Sequence, residues 1–258
     1  MFTIATWNVN SLRVRLPQLL DWLARVQPDI VALQETKTID ANFPLTDIQQ
    51  AGYHAIFAGQ KTYNGVALLS KFSDITDVVT EFPHYPDPQR RVLAATYPNG
   101  LRVLNLYVPN GEAIHSEKYQ YKLAWLQALQ DYVADQQQKT PYLCLLGDFN
   151  IAPRDEDVHN PKSWVGKVLV SPEERNALQN LFNLGLVDTF RQFEQPPASF
   201  SWWDYRGGGF PRNQGLRIDL ILSNAALAKN CHTCYIDKAP RQLERPSDHT
   251  PVVATFDI

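Results

Sequence analysis

Cysteine and methionine are nearly absent: among 258 residues there are three of the first, Cys144, Cys231 and Cys234, and one of the second. So few thiols, and an odd number, in a chain long enough to build its own core exclude a disulfide-stapled framework and point to reduced cysteines. Cys231-His232-Thr233-Cys234 fits C-x-x-C, but it lies in an apparent strand, where residues three apart face opposite ways. With no second pair of ligands, a zinc or redox centre is not expected. Long apolar runs are missing, which excludes a membrane-spanning helix. The chain opens on a strand-like segment, Phe2–Trp7, rather than a basic stretch followed by an apolar one, so a soluble cytoplasmic protein with no membrane partner is expected. Basic charge is not in excess either, with 24 Lys and Arg against 27 Asp and Glu and a formal net charge of −3. That balance excludes a protein that coats nucleic acid through bulk charge, yet it allows a local basic groove beside an acidic, metal-bearing site.

Hydrophobic residues, at 44%, and aromatics, at 11%, supply a sizeable core. No linker interrupts the sequence, so residues 1–258 are expected to form one domain, with monomer as the default state. Runs at Phe2–Trp7, Ile30–Leu33, His54–Ala58, Gly65–Leu69 and Val92–Tyr97 read as strands, as do Leu101–Tyr107, Tyr142–Leu146, Ile218–Leu222, Cys231–Ile236 and Val252–Phe256. Pro98-Asn99-Gly100 joins two of them as a hairpin, which makes the sheet partly antiparallel. Apolar stripes at Leu16, Leu19, Leu20 and Leu23, with Pro17 near the first turn, and at Tyr119, Leu123, Leu126, Leu129 and Val133 mark two helices. A third starts at Ser171, with Pro172 and Glu174 completing a capping box and Gly185 available to end it.

Four polar clusters border apolar runs: Trp7-Asn8-Val9-Asn10, Gln34-Glu35-Thr36 and Gly147-Asp148-Phe149-Asn150 end one each, and Ser247-Asp248-His249 comes just before another. The first and third echo each other, as expected of two similar sheets packed face to face with the polar ends converging on one edge. Glu35, with Asn8 and Asp248, suits the sparse oxygen set that Mg²⁺ prefers, although each acid alone could merely cap a strand. Asp148, at the mouth of Leu143-Cys144-Leu145-Leu146-Gly147, should feel desolvation that raises its pKa toward that of a useful base; the plain alternative is an Asx turn. Asp219 interrupts an apolar strand, where an unpaired charge is costly, and pairing it with His249 would keep the imidazole protonated to donate to a phosphate oxygen. Tyr107 adds a second donor or is simply a tyrosine at the core's edge. In the segment from Trp202 to Arg217, Trp203 can stack on bases while Arg206, Arg212 and Arg217 hold phosphates; a mobile surface loop is the plain alternative.

Taken together with Tyr107-Val108-Pro109-Asn110 and Arg217-Ile218-Asp219, these clusters resemble the endonuclease/exonuclease/phosphatase superfamily, and within it the exodeoxyribonuclease III type, from Phe2 to Phe256. The resemblance implies a four-layer α/β sandwich of two packed mixed β-sheets flanked by helices. It implies Mg²⁺-dependent hydrolysis of double-stranded DNA, with Mn²⁺ as a substitute: 3′ to 5′ exonuclease action, incision at abasic sites and trimming of blocked 3′ ends. By this likeness Asn8, Glu35 and Asp248 belong to the metal environment, and Asp148 with Asn150 handles the water. Tyr107, Asn110 and His249 contact the phosphate, Asp219 holds His249, and Asn10 lies on the substrate side.

The sequence departs from the family pattern in one region. Trp164 and Lys167 stand where some relatives place asparagines near the abasic sugar, and Leu216 stands where certain relatives have a tryptophan. A specialised 3′ exonuclease is therefore one alternative. A phosphatase of small phosphorylated molecules or phosphoinositides is another, disfavoured by the aromatic and arginine-bearing loop. A non-catalytic nucleic-acid binder would gain nothing from repelling phosphate with Asp148, Asp219 and Asp248.

Overall fold

Fourteen segments form strands in the computed structural model, which describes residues 1–258. The first are β1 (Phe2–Asn8), β2 (Ile30–Gln34), β3 (His54–Ala58), β4 (Val66–Ser70), β5 (Thr76–Val79) and β6 (Val92–Thr96). They are followed by β7 (Leu101–Tyr107), β8 (Tyr142–Asp148), β9 (Leu186–Asp188), β10 (Trp202–Trp203) and β11 (Gly215–Leu216). The last are β12 (Asp219–Asn224), β13 (Cys231–Ile236) and β14 (Val252–Phe256). All ten strands expected from the sequence are present. The additional ones are β5, a solvent-facing edge, and three segments too short to show a period.

The strands build two six-stranded sheets, ordered β13-β14-β1-β2-β4-β3 and β5-β6-β7-β8-β12-β9, with β10 and β11 as a separate hairpin. Each sheet has one parallel pair at its centre, β1 with β2 and β7 with β8, and is otherwise antiparallel. The echo between the first and third polar clusters thus has a structural counterpart, since β1 and β8 hold equivalent central positions. A core that includes Ile4, Leu68, Val103, Leu146 and Ile221 fills the space between the sheets.

Helices cover both outer faces. α1 (Leu12–Val26) and α2 (Leu45–Gln50) lie on the first sheet, where Leu19, Trp22, Leu23 and Ile48 pack against Ala5, Trp7 and Leu33. After them α3 (Glu117–Lys139), α4 (Pro161–Trp164), α5 (Pro172–Asn183) and α6 (Ala225–Ala228) follow in the chain. Trp125 and Leu129 of α3, with Leu178 and Leu181 of α5, pack against Leu104, Leu143 and Leu220 of the second sheet. The result is a four-layer α/β sandwich in which each apolar helix stripe is buried on a sheet face. No helix is long and apolar enough to cross a membrane.

Three local expectations are amended. α1 begins at Leu12, so Pro17 lies inside the helix rather than in its first turn; the Ile-poor, charged stretch Arg13-Val14-Arg15 hides the earlier start. The hairpin at Tyr97–Gly100 needs positive φ at Gly100 alone, and Asn99 does not share it. The register of β13 shifts between Cys231 and Thr233, and the extra residue turns both Cys231 and Cys234 toward the core between the sheets. All three thiols are free.

Candidate active site

The site forms where β1, β2, β7 and β8 end on one edge of the sandwich. Parallel pairing fixes which residues meet there: Asn8 is level with Gln34, one residue before Glu35, and Tyr107 is level with Asp148. Asp219 opens β12 directly opposite Asp148. Gly147 is required for this approach, because a Cβ there would sit 1.9 Å from the carbonyl oxygen of Leu106. Once past the strands, Asn10, Glu35 and Asn150 all take positive φ, a strained conformation for residues with side chains. The chain is bent at these points to turn polar side chains inward.

Asn8 joins the two sheets. Its buried side-chain amide donates to Glu35 Oε1 at 2.8 Å and to Asp148 Oδ2 at 2.9 Å. Asn150 supports Asp148 from the other side, its main-chain N–H donating to Oδ1 at 2.9 Å and its amide to Oδ2 at 3.3 Å. The Asn110 amide in turn donates to Asn150 Oδ1 at 3.2 Å. Burial is the main reason that the Asp148 pKa rises to about 7; His249 opposes the rise, and the carboxylates of Asp219 and Glu35 add to it. Tyr107 is pushed well above the ordinary phenol range by burial and by Glu35 and Asp148, so its hydroxyl remains a donor. The Arg91 guanidinium lies 4.6 Å from the Tyr107 ring centroid and fixes the ring's position.

His249 Nδ1 lies 2.9 Å from Asp219 Oδ2, and its Nε2 lies 3.7 Å from Asp148 Oδ2. Burial disfavours the charged imidazole, but Asp219, Asp148 and Asp248 outweigh it and raise the pKa to about 10. His249 is therefore a cation in a nest of acids, held as a donor near Asp148.

Glu35, Asp148 and His249 offer ligand atoms that all lie within 4.8 Å of one another. Because His249 Nδ1 is engaged by Asp219, the metal-competent part of this group is its carboxylate oxygens, Glu35 and Asp148, beside the Asn8 amide. Hard oxygen donors of this kind, few in number, fit a small divalent cation. Asp248 stands apart from that cluster. Its Oδ1 accepts from the Asn10 amide at 2.9 Å and its Oδ2 from Trp202 Nε1 at 3.0 Å. Its pKa is lowered because His249, Trp202 and Asn10 together outweigh burial. In this structure Asp248 orients Asn10 and Trp202.

Two of the four DNA-contact residues expected in the segment from Trp202 to Arg217 are interior. Trp203 is fully buried and donates through Nε1 to Asn213 Oδ1 at 3.1 Å, so it cannot stack on a base. Arg217 is equally buried, its guanidinium shared between Asp157, at 2.7 Å, and Asp188, at 2.7 Å. Burial opposes its charge, and these two carboxylates more than restore it, raising its pKa. It serves as the ionic bolt of this region and reaches no phosphate. Arg206 and Arg212 do face solvent. The sequence reading missed Lys37, whose Nζ lies 2.9 Å from Glu35 Oε2 and donates to Asn10 Oδ1 at 2.5 Å. It also missed Arg15, which donates to the Asn10 carbonyl at 2.6 Å and to the Tyr205 hydroxyl at 3.0 Å. The position of Lys37, two residues after Glu35, was a signal; nothing near Arg15 was.

Trp164, Lys167 and Leu216 do gather in one place. The Trp164 and Trp202 rings meet edge to face at 6.5 Å, Lys167 Nζ lies 5.4 Å from the Trp164 ring centroid, and Leu216 is buried beneath them with Val158 and Leu169.

Residues 5–249 match the profile of the Endonuclease/Exonuclease/phosphatase family. The chain belongs to that family. It is 39% identical to exodeoxyribonuclease III of Haemophilus influenzae over 264 aligned residues, covering 97% of this chain and 98% of that protein. Among solved structures, the 3′ phosphatase NExo from Neisseria, bound to a product DNA hairpin, superposes with a TM-score of 0.97 at 49% identity over the whole of both chains. An AP endonuclease from Archaeoglobus fulgidus superposes with a TM-score of 0.95 at 40% identity, again over the whole of both chains. The chain is accordingly a hydrolase of the nuclease class.

Proposed function

We propose that this nuclease is a Mg²⁺-dependent DNA repair phosphodiesterase that removes nucleotides and blocking groups from 3′ ends of duplex DNA and incises beside abasic sites. The observation that carries the reading is the buried Asn8 amide, which holds the carboxylates of Glu35 and Asp148 together while His249 Nε2 lies 3.7 Å from Asp148 Oδ2. Glu35, beside Asn8, would hold the cation, with Asp148 next to it kept free to take up a proton. When bound, Mg²⁺ neutralises charge on the phosphate and lowers the pKa of water beside it. Mn²⁺ has a similar taste for oxygen donors and is a natural substitute.

Asp148, raised by burial to about 7, accepts the proton of the attacking water once it is ionised, and Asn150 keeps its carboxylate aimed. Protonated His249, braced by Asp219, and the Tyr107 hydroxyl donate to non-bridging phosphate oxygens as charge builds there. Asn110 and Asn10 flank the phosphate and orient it. No covalent intermediate is required for in-line displacement by water. Arg206 and Arg212 extend the contact along the DNA backbone.

A second reading, a specialised 3′-end enzyme with little abasic-site activity, is favoured by the packing of Trp164 against Trp202. It also agrees with the Neisseria relative, described as a 3′ phosphatase. Cleavage of two labelled duplexes in Mg²⁺, one with a central abasic analogue and one with a recessed 3′ end, tests both readings. Internal incision and end degradation, both lost in Asp148→Ala, are expected of the first. End degradation alone selects the second, and metal-dependent cleavage of neither duplex overturns both.

A further inference from the structure

Beneath the polar floor of the site lies a charge that the chemistry does not use. Lys122, on α3, has no exposed surface. Its ammonium donates to the main-chain carbonyl of Asn150 at 2.7 Å, to that of Asn110 at 3.1 Å and to Glu174 Oε1. All three of its protons are therefore committed. Glu174 is just as buried, and it accepts from the main-chain N–H groups of Leu169 and Ser171, at 3.0 Å each, and from the Ser171 hydroxyl at 2.6 Å. The acid that completes the capping box of α5 is thus also the counter-ion of a buried lysine.

An ion pair taken wholly out of water is a weak means of stabilising a fold, since apolar residues of similar volume often do as well. The two carbonyls suggest another use. Asn110 and Asn150 lie past the ends of β7 and β8, where no strand ladder holds the backbone, and Asn150 is held at a φ of +49°. Their side chains are the pair that meets at 3.2 Å and continues to Asp148. The chain also packs closely on the lysine stem, because a Cβ on Gly111 would lie 3.2 Å from Lys122 Cδ.

We propose that Lys122 is a positioning residue, whose ammonium pins the backbones of Asn110 and Asn150 so that both amides stay aligned on Asp148 and on the substrate phosphate. The inference rests on the phosphodiesterase reading given above. It makes Lys122 of α3 and its counter-ion Glu174 part of the site's framework, although neither helix contributes a group to the reaction.

The test pairs two variants. Lys122→Met with Glu174→Met removes the pin without stranding a buried charge, while Ser171→Ala weakens the same helix cap and leaves the ammonium on both carbonyls. On a recessed 3′ duplex in Mg²⁺, the double variant should lose about tenfold or more in kcat, with KM within about twofold of wild type. Ser171→Ala should lower Tm and leave kcat unchanged. Hydrogen exchange at the Asn150 amide, which donates to Asp148 Oδ1, should quicken about tenfold in the double variant only. Wild-type kcat in the double variant, or kcat losses that simply follow Tm in both variants, would overturn the inference. If wild type fails to cleave DNA at all, the nuclease reading falls, and amide exchange alone decides on Lys122: an unchanged rate rejects the pin.

Discussion

His249 and Asp219 form a buried pair in which imidazole Nδ1 lies 2.9 Å from the carboxylate and the ring's pKa is raised to about 10. Burial alone would have lowered it, so the charge on His249 depends on its acidic neighbours. Asp219→Asn keeps the shape of the contact and removes the largest attraction. We expect kcat to fall by about 10²–10³-fold, the cost of losing one preorganised donor to a developing oxyanion. The alkaline limb of the rate profile should also move to lower pH, because the imidazole then loses its proton earlier. An unchanged limb in a kcat–pH profile would mean that His249 does not donate as a cation.

The same shifts set how stability depends on pH. Asp148, raised to about 7, and His249, raised to about 10, both bind protons more tightly in the fold than in the unfolded chain. For each group the stabilising contribution is complete below its ordinary pKa and is lost as pH rises through the folded value. The metal-free protein should therefore lose stability between about pH 4 and 7 through Asp148, and from about pH 6.5 to 10 through His249. On the proposed assignment a divalent cation bound beside Asp148 would favour its ionised form, so the cation's stabilisation should grow with pH. Thermal melts with and without Mg²⁺ at about pH 5.5 and 8.5 should show the larger gain in Tm at the higher pH, and Asp148→Asn should flatten that difference. Equal gains at both pH values in wild type would remove Asp148 from the cation's surroundings.

Arg217 separates stability from binding. Arg217→Ala takes the buried cation from Asp157, which keeps only the partly exposed Arg191, and from the partly buried Asp188, a loss of about 3 kcal/mol, the low end for a broken interior pair. Arg206→Ala and Arg212→Ala, at exposed positions, should leave Tm nearly unchanged. Each should reduce the slope of log affinity against log salt by about 1 if it neutralises a phosphate. Urea titrations and DNA binding at several salt concentrations distinguish the three, and a normal Tm for Arg217→Ala would contradict its role as an ionic bolt.

How legible the site was depended on whether a side chain's environment is written close to it in the chain. Asp148 and Asp219 follow or interrupt apolar runs, so their burial could be read from their immediate neighbours, and half-buried Glu35 closes another such run. The pairing of Asp219 with His249 was legible because each posed a problem that only the other solves. Trp203 and Arg217 misled for the opposite reason. They share a glycine-rich, polar segment with truly exposed residues, and much of what covers them comes from elsewhere: Lys238 and Arg241 for the tryptophan, Asp157 and Asp188 for the arginine. Lys122 looked like one more charge on a helix, because its three partners belong to two loops and another helix. Local pattern reports the face a residue presents to its own element and is silent on ion pairs closed by the fold.

Trp164 decides between the two functional readings. Its ring meets Trp202, which is itself tied to Asp248 through Nε1 at 3.0 Å, so the indole pair forms a wall fixed to the site. An abasic sugar turned out of the duplex must lodge beside the scissile phosphate, and a large ring there takes up that space. Removing it should open the wall without touching Asp148, His249 or Glu35. Trp164→Ala is therefore expected to raise abasic-site incision relative to 3′-end removal by about tenfold, a difference of roughly 1.4 kcal/mol between two transition states. End removal itself should change little, because a terminal nucleotide needs no such pocket. The ratio of kcat/KM values on the two duplexes measures this directly. An unaltered ratio would show that Trp164 does not set substrate choice, and a fall in both activities together would make it a support for Trp202 and Asp248 instead.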